Sequence, residues 1–158
     1  MGTIYVVEGT ASAPTAMASY DAALAEANVH NYNLVAVSSV VPADATVEHA
    51  GTAPDLGPAG NRLTVVESRA TVTDGDTAAA GLGWTTGPGP GLFYEAHGDD
   101  PDAVAQTVED GLDAGAELRD WELDGRTVVV SEAHDDPDTD EYTTALVVAA
   151  YGESEPIL

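Results

Sequence analysis

Apolar and polar residues alternate along most of this chain in short runs that end at glycine, proline or aspartate, a pattern typical of β-strands. Two segments differ, because their apolar residues recur every three or four positions, as they do on one face of a helix. The first predicted helix spans Pro14–Asn28, and the second begins with Asp100 as its N-cap and Pro101 at its first helical position. The predicted strands are Thr3–Glu8, Tyr32–Val41, Arg62–Thr73, Thr77–Thr85, Gly91–His97, Arg126–Ala133 and Tyr142–Ala150.

The order of these elements, β-α-β-β-β-β-α-β-β, indicates the fold class. A run of consecutive strands cannot build a doubly wound parallel sheet, so we expect an α+β layered sandwich with the two helices outside, in a chain of single-domain size. We interpret Tyr32–Val41 as a central strand buried on both faces, Gly9–Pro14 and Gly87–Pro90 as turns, and Ala50–Asn61 as a loop. The apolar faces assigned to the helices are Met17, Tyr20, Leu24 and Ala27 on the first, and Val104, Val108, Leu112 and Leu118 on the second.

The composition removes whole classes of chemistry. The chain holds 28 Asp+Glu but only 4 Lys+Arg, all of them arginines, for a net charge of −24, and it has no cysteine. Without lysine it cannot anchor pyridoxal phosphate, form a lysine Schiff base or build a Walker A loop. Without cysteine it has no thiol nucleophile, disulfide or thiolate-bound metal. The negative charge repels phosphate groups, so we expect no nucleic-acid partner and no binding to anionic membranes.

The acidity itself is typical of a protein adapted to molar salt in the cytoplasm of a halophile. At about 1 M salt the Debye length falls to ~3 Å, so long-range attraction of a cation would be weak. The first residues lack the basic region and the apolar length of a signal peptide, and no apolar run approaches the ~20 residues of a membrane helix. We therefore expect a soluble, cytoplasmic protein.

Neither the histidines nor the acidic loop Asp135–Asp140 indicates a metal site. The loop has some likeness to a calcium-binding loop, but it lacks the glycine and the final glutamate of an EF-hand. The histidines are dispersed and lack the spacing of a metal site. They are His30, His49, His97 and His134. We expect no metal ion.

Two features do not fit a purely structural interpretation. Ser38 and Ser39 lie inside an apolar run, where buried hydroxyls need hydrogen-bond partners, although they could simply be strand serines whose hydrogen bonds are satisfied. Glu95 follows Leu92, Phe93 and Tyr94 in a strand predicted to be buried. Burial raises the pKa of a carboxyl group towards the range that suits a general acid.

With their surroundings, these residues resemble a known family. The segment Asn31–Pro42 carries the pattern N-x-N-L-x-x-x-S-S-x-x-P. It is preceded by Tyr20–Leu24 and followed by Gly91–Glu95 and Glu117–Asp124. These blocks, in this order, closely resemble the pyruvoyl-dependent arginine decarboxylases of archaea, and the likeness covers most of the chain.

The resemblance implies a self-processing enzyme. In the family, the hydroxyl of the second serine attacks the preceding peptide carbonyl, and elimination and hydrolysis then leave an N-terminal pyruvoyl group. Carried over to this sequence, Ser39 becomes the pyruvoyl group and Ser38 the new C-terminus. A single domain would thus be divided into a β chain of residues 1–38 and an α chain of residues 39–158. Such a carbonyl suits a chain that has no lysine to anchor pyridoxal phosphate.

The resemblance also implies roles for individual side chains. Glu95 matches the general acid that protonates the α-carbon after CO2 leaves, and Asp21 matches a carboxylate suited to the substrate guanidinium. Ser38 is expected to contact the substrate. Asn33 assists cleavage or holds the pyruvoyl carbonyl, and its even spacing from Ser39 places both on one face of a continuous strand.

At the level of the whole molecule, the family implies an α-β-β-α sandwich with largely antiparallel sheets, and a homotrimer of αβ subunits with active sites between neighbours. The predicted activity is decarboxylation of L-arginine to agmatine, which would feed polyamine or modified-tRNA synthesis in a halophilic archaeon. Two alternatives stay open. The same machinery could act on another cationic amino acid, or the chain could be an unprocessed, non-catalytic member that serves as a ligand-binding or regulatory subunit.

Overall fold

Residues 2–158 are described by a computed structural model and form nine strands and two helices. The helices are α1 (Ala16–Glu26) and α2 (Pro101–Glu117). The strands are β1 (Thr3–Ala13), β2 (Asn33–Ala36), β3 (Val40–Val41), β4 (Thr46–Gly51), β5 (Arg62–Val72), β6 (Thr77–Thr86), β7 (Gly91–Gly98), β8 (Gly125–His134) and β9 (Tyr142–Tyr151).

The strands form two sheets packed face to face. The first sheet has the order β2-β5-β9-β1-β4 and the second has the order β3-β7-β6-β8. Helix α1 packs on β1, β9 and β5 of the first sheet, and α2 packs on β7, β6 and β8 of the second. Most neighbouring strands are antiparallel, while β1 with β4 and β2 with β5 are parallel. The predicted α+β fold, an α-β-β-α sandwich, is confirmed.

The main core lies between the sheets, and smaller clusters lie under each helix. The residues of the intersheet core are Ile4, Val6, Val41, Val66, Leu82, Trp84, Phe93, Val129, Val147 and Ala149. On the outer face of the second sheet, Gly81 and Gly83 give α2 room to approach β6. A Cβ on Gly83 would lie 2.5 Å from Cγ1 of Val108. The small residues of β6 therefore fix how closely α2 can approach the sheet.

Helix α1 buries most of the predicted face, because Leu24 and Ala27 belong to the core beneath it and Tyr20 packs against that core. Thr15 caps the helix by accepting a hydrogen bond from the Ala18 N–H, and Met17 is 72% exposed. The buried residues of the helix are Ser19, Ala23 and Leu24. Small residues face the sheet because α1 lies against the backbone of β1, where a Cβ on Gly9 would overlap the Ala23 carbonyl. The assignment of Met17 to the apolar face was therefore wrong.

The predicted central strand Tyr32–Val41 does not exist as one element. Its first part is β2, at the edge of the first sheet beside β5, and its last part is β3, at the edge of the second sheet beside β7. The chain crosses between the sheets at residues 37–39. Both pieces are edge strands, so Val35, Val37 and Val40 are each about 42–43% exposed. The apolar run was correctly identified, but its predicted burial on both faces was wrong.

Three other features of the structure differ from the prediction. Strand β1 continues to Ala13 by pairing with β9, so no turn occurs at Gly9. Strand β4, whose Glu48 and His49 are polar, was not predicted and pairs with β1. Leu118 is the C-cap of α2 and is 82% exposed, so it does not extend the apolar face.

The other predicted strands agree with the structure to within one residue at each end, and Gly87–Pro90 joins β6 to β7. Asp100 caps α2, as predicted, and accepts hydrogen bonds from two backbone N–H groups of the first turn. Pro101 is the first residue of that helix. Neither helix within residues 2–158 is both long and apolar enough to span a membrane.

Candidate active site

The serine pair lies where the chain passes from one sheet to the other. Val37 N–H donates to the carbonyl of Val65 on β5 at 2.9 Å, which holds the crossing on one side. The carbonyl of Ser39 accepts a hydrogen bond from the N–H of Phe93 on β7 at 2.7 Å, which holds it on the other. Ser38 is exposed and Ser39 is half-buried. The peptide bond between them is therefore accessible but held in position on both sides.

Ser39 lines a cavity of about 270 Å³ between β7 and α2. The lining is apolar except for Ser39, the Tyr94 hydroxyl and Arg119. Tyr94 lies against α2 at Gly111, where a Cβ would overlap its ring. Three cavities elsewhere are larger, at about 330, 540 and 530 Å³, but none of the predicted site residues lines any of them. The chemistry of the lining, rather than the volume, therefore identifies the cavity beside Ser39 as the candidate site.

Glu95 lies two residues beyond Phe93 on β7, which places it about 7 Å further along the strand. Its partner across the sheet is Leu82, whose side chain is buried in the intersheet core. Desolvation raises the pKa of Glu95, while a hydrogen bond from its own backbone N–H lowers it less. Much of the side chain nevertheless remains exposed. Glu95 does not line the cavity beside Ser39, but it is accessible to a ligand while part of its carboxyl group is shielded from water.

Asn33 does not share a strand with Ser39. It begins β2, where its Nδ2 donates to the carbonyl of Gly60 at 2.8 Å. Because β2 ends at Ala36 and the chain then leaves the first sheet, the prediction that a continuous strand places Asn33 and Ser39 on one face was wrong. Asn33 does not line the cavity beside Ser39.

Asp21 also lies outside this cavity. It is an exposed residue of α1, which covers the first sheet, whereas the cavity lies under α2 on the second sheet. Its neighbour Tyr20 donates to Glu67 at 2.7 Å, and the Arg69 guanidinium lies 4.0 Å from the centre of the tyrosine ring. Burial, followed by the contact with Glu67, raises the pKa of Tyr20 above its usual range. Tyr20 therefore stays neutral and serves to hold the helix on β5.

Two residues of the cavity were not predicted from the sequence. Tyr94 and Arg119 each lie in a sequence block that carried the family resemblance, yet neither had been given a role. Arg119 donates from Nη1 to the carbonyl of Gly115 at 2.8 Å and lies over the ring of Trp121 at 5.1 Å. The signal that could have identified Arg119 was its scarcity, because it is one of only 4 basic residues in the chain.

Within residues 2–158, no group of three or more His, Asp or Glu side chains is placed to hold a metal ion. In the acidic loop, Asp135 is buried and accepts hydrogen bonds from the Thr143 hydroxyl at 2.7 Å and from the Gly75 N–H at 3.1 Å. This carboxylate therefore fastens the loop to β9 and to the turn before β6.

The arrangement around Ser39 suits a prosthetic group made from the chain itself. A carbonyl group built from residue 39 would need no separate binding site, only a held backbone and space for a substrate. The Phe93 N–H provides the first, and the cavity beside Ser39 provides the second. The residues present thus fit a pyruvoyl group at this position.

Comparison with known proteins gives the same result. Residues 3–156 match the family described as pyruvoyl-dependent arginine decarboxylase. Proteins of that name from two strains of Halobacterium salinarum are 54% identical to this chain over 99% of its length and 98% of theirs. A further protein of that name, from Methanococcus maripaludis, is 28% identical over 82% of this chain and 80% of its own. The predicted resemblance is confirmed, and this chain belongs to the family of pyruvoyl-dependent arginine decarboxylases.

Proposed function

We propose that this chain cleaves its own backbone between Ser38 and Ser39, and that the pyruvoyl group formed from Ser39 decarboxylates L-arginine to agmatine and CO2. The observation that carries this proposal is the position of the serine pair. In a chain of this family, the pair lies on an exposed crossing between two sheets, with the Ser39 carbonyl held by β7 and a cavity beside it.

Cleavage follows from the chemistry of the two serines. The Ser39 hydroxyl attacks the Ser38 carbonyl, and the peptide bond becomes an ester. Elimination then breaks the bond between Cβ and oxygen of residue 39, which releases Ser38 as a carboxylate and leaves dehydroalanine. Water adds after tautomerisation and ammonia leaves, so residue 39 ends as a pyruvoyl group. The hydrogen bond from Phe93 supports this sequence, because it holds residue 39 on β7 before and after the backbone is cut.

The two fragments would stay together after the cut. Residues 1–38 contain β1, which lies between β9 and β4 in the first sheet and pairs with β9 from Ile4 to Ala13. They also contain α1, which packs on the same sheet. Separating the fragments would expose buried residues of β1 and break this ladder, so the β chain 1–38 and the α chain 39–158 remain one folded domain.

In catalysis, the pyruvoyl group supplies an electrophilic carbonyl that condenses with the substrate amine and accepts the electrons left when CO2 departs. The Phe93 N–H fixes the adjoining carbonyl of residue 39. Glu95 supplies the proton to the α-carbon, because its raised pKa keeps it protonated to higher pH than an ordinary glutamate. Ser38, at the new C-terminus beside the cavity, contacts the substrate.

The complete site forms between neighbouring subunits of a homotrimer. Two observations support this proposal. Asp21, which matches a substrate-binding residue of the family, lies on α1 over the first sheet, whereas the cavity of its own chain lies under α2 on the second sheet. Val35, Val37 and Val40 leave an apolar surface exposed on both sides of the serine pair, as expected of a face covered in the assembly. A neighbour's Asp21 would then pair with the substrate guanidinium.

The cellular setting is proposed from charge and from the relatives. A net charge of −24 and a relative from Halobacterium salinarum support a cytoplasmic enzyme of a halophilic archaeon that supplies agmatine for polyamine or modified-tRNA synthesis. A non-catalytic role for an uncut chain would appear as a different outcome of the test below. Activity on another cationic amino acid would appear as faster release of CO2 from ornithine or lysine than from arginine.

The deciding test is an intact-mass spectrum of the purified protein in molar salt. We expect two species, residues 1–38 and 39–158, with the larger one blocked at its N-terminus. Ser39→Ala should give one uncut chain that releases no CO2 from arginine, because alanine has no hydroxyl to attack. Ser38→Ala is the matched control and should still be cut, since the attacking oxygen belongs to residue 39. A wild-type chain that stays uncut would contradict the proposal and support the non-catalytic alternative.

A further inference from the structure

Arg119 differs from the other basic side chains of the protein. Three arginines each lie within 4.0 Å of a carboxylate, and these pairs are Arg62 with Glu155, Arg69 with Glu67, and Arg126 with Glu109 and Asp113. Arg119 has no such partner within residues 2–158, although the chain contains 28 acidic residues. The one arginine without a carboxylate is also the one that lines the cavity beside Ser39.

Two contacts hold the guanidinium of Arg119 in place and leave most of its N–H donors free to bind a ligand. Its Nη1 donates to the Gly115 carbonyl at 2.8 Å, and its plane lies over the Trp121 ring at 5.1 Å. An arginine has five N–H donors in a planar fork, so several remain for a ligand. The hydrogen bond fixes the end of the side chain and the indole supports its face. Little side-chain conformational entropy would therefore be lost when a ligand binds.

A purely structural role explains only part of this placement. Arg119 follows the C-cap of α2, and a cation near a helix C-terminus is favourable there. An arginine pointing into solvent would provide the same interaction. It would not require a half-buried arginine, supported by an indole, on the wall of a cavity that also contains Ser39.

We propose that Arg119 binds the α-carboxylate of the amino acid substrate, a proposal that rests on the decarboxylase function proposed above. A carboxylate approaching a chain of net charge −24 needs a local cation, and at about 1 M salt only direct contact is effective. The planar guanidinium can hold a carboxylate through two parallel hydrogen bonds. It also repels the guanidinium end of arginine, which fixes the direction of the substrate in the cavity.

This contact would distinguish substrate from product. Arginine carries an α-carboxylate, whereas agmatine has lost it as CO2 and keeps the amine and the guanidinium. Arg119 therefore has a partner in the substrate and none in the product. Removing Arg119 should weaken the binding of arginine and leave the binding of agmatine unchanged, whereas a general distortion of the cavity would weaken both.

The test compares Arg119→Gln and Arg119→Lys with the wild-type enzyme. Glutamine keeps an amide donor for the Gly115 carbonyl but has no charge. Lysine keeps the charge but lacks the planar pair of N–H donors that can hold a carboxylate through two hydrogen bonds. In the cleaved protein, the KM for arginine should rise on the order of 10- to 100-fold in Arg119→Gln and less in Arg119→Lys, while the inhibition constant of agmatine stays within about two-fold. Arg126→Gln is the matched control, because it removes a paired arginine beside the same helix, and it should leave both constants unchanged.

Binding is also measured without turnover, by titrating arginine and agmatine into the uncut Ser39→Ala chain with and without Arg119→Gln. We expect the same selective loss of arginine binding. An equal loss for both ligands, or no loss for either, would overturn the assignment of Arg119. If the wild-type protein is cleaved but releases no CO2 from arginine, the proposed function fails instead, and the two titrations still decide the role of Arg119.

Discussion

At the scale of single residues, Glu95 combines two properties that a proton donor needs. Its position on β7 places it just beyond the residue that holds the Ser39 carbonyl, and it stays accessible from solvent. Desolvation raises its pKa, so the carboxyl keeps its proton to a higher pH. As a donor, it must lose effectiveness as the pH rises through that raised pKa.

Replacing Glu95 by glutamine removes this proton without removing the bulk of the side chain. We expect Glu95→Gln to cleave at least in part, but to decarboxylate arginine ~10²–10⁴-fold more slowly. The fall of wild-type kcat at high pH should also disappear in the variant. The measurements are the fragment pattern and kcat as a function of pH. Glu132→Gln, on the exposed face of β8 in the same sheet, should match the wild type. Near wild-type turnover in Glu95→Gln would assign the proton to another group.

How far single residues could be predicted depended on what determines their role. Ser39 and Glu95 could be singled out from the sequence because their residue types are unusual in apolar runs and occur within a family pattern, and their roles stay predictions. Arg119 and Tyr94 could not, because they reach the cavity only when α2 packs against β7. Asp21 was assigned by resemblance, and nothing in its own chain brings it to the serine pair.

At the scale of elements, the chain between β2 and β3 shows why hydrophobic composition did not determine burial. Ten consecutive residues read as one buried strand, but the chain changes sheets at the serine pair and leaves two short edge strands. A strand buried on both faces and an exposed edge strand can have the same composition, as the exposed Val35 and Val40 show. Elements with a regular pattern and clear boundaries, such as β5 and α2, were predicted closely, whereas polar β4 was missed.

The shape of the cavity depends on one glycine of α2. A methyl group on Gly111 would overlap the Tyr94 ring, so Gly111→Ala should displace Tyr94 and lower the affinity for arginine. For stability, Gly115→Ala is the matched control, because its Cβ would meet only flexible side-chain ends, Cδ1 of Leu92 at 3.2 Å and Nη1 of Arg119 at 3.8 Å. Both variants gain similar helix propensity, so their difference isolates the overlap. In the uncut Ser39→Ala background, urea unfolding should show Gly111→Ala less stable than the control by about 1–3 kcal/mol. Equal stabilities would contradict this packing.

At the scale of the whole molecule, the net charge bears on the proposed homotrimer. A net charge of −24 on 158 residues opposes association through self-repulsion, and molar salt screens it. The exposed valines around the serine pair then provide an apolar surface on which subunits can meet. Assembly would also bring one chain's Asp21 near another chain's Ser39. The enzyme is therefore expected to be active only in the salt concentrations at which its subunits associate.

Complementation between two defective variants tests whether one active site combines residues of two chains. Ser39→Ala provides no pyruvoyl group, and Asp21→Asn should bind arginine on the order of 10- to 100-fold more weakly. In hybrid trimers purified by two tags, a site with Ser39 from one chain and Asp21 from the other is intact, and each mixed ring of three subunits contains one such site, about a third of the total. At low arginine concentration, the hybrids should regain activity in that proportion. Hybrids of Ser39→Ala with Glu95→Gln should not regain activity. Ser39 is hydrogen-bonded to β7 of its own chain, the strand that carries Glu95, so we expect both residues of one chain to act in the same site. Two results would contradict a site that takes Ser39 and Glu95 from one chain and Asp21 from its neighbour. One is recovery of activity in hybrids with Glu95→Gln, and the other is no recovery in hybrids with Asp21→Asn.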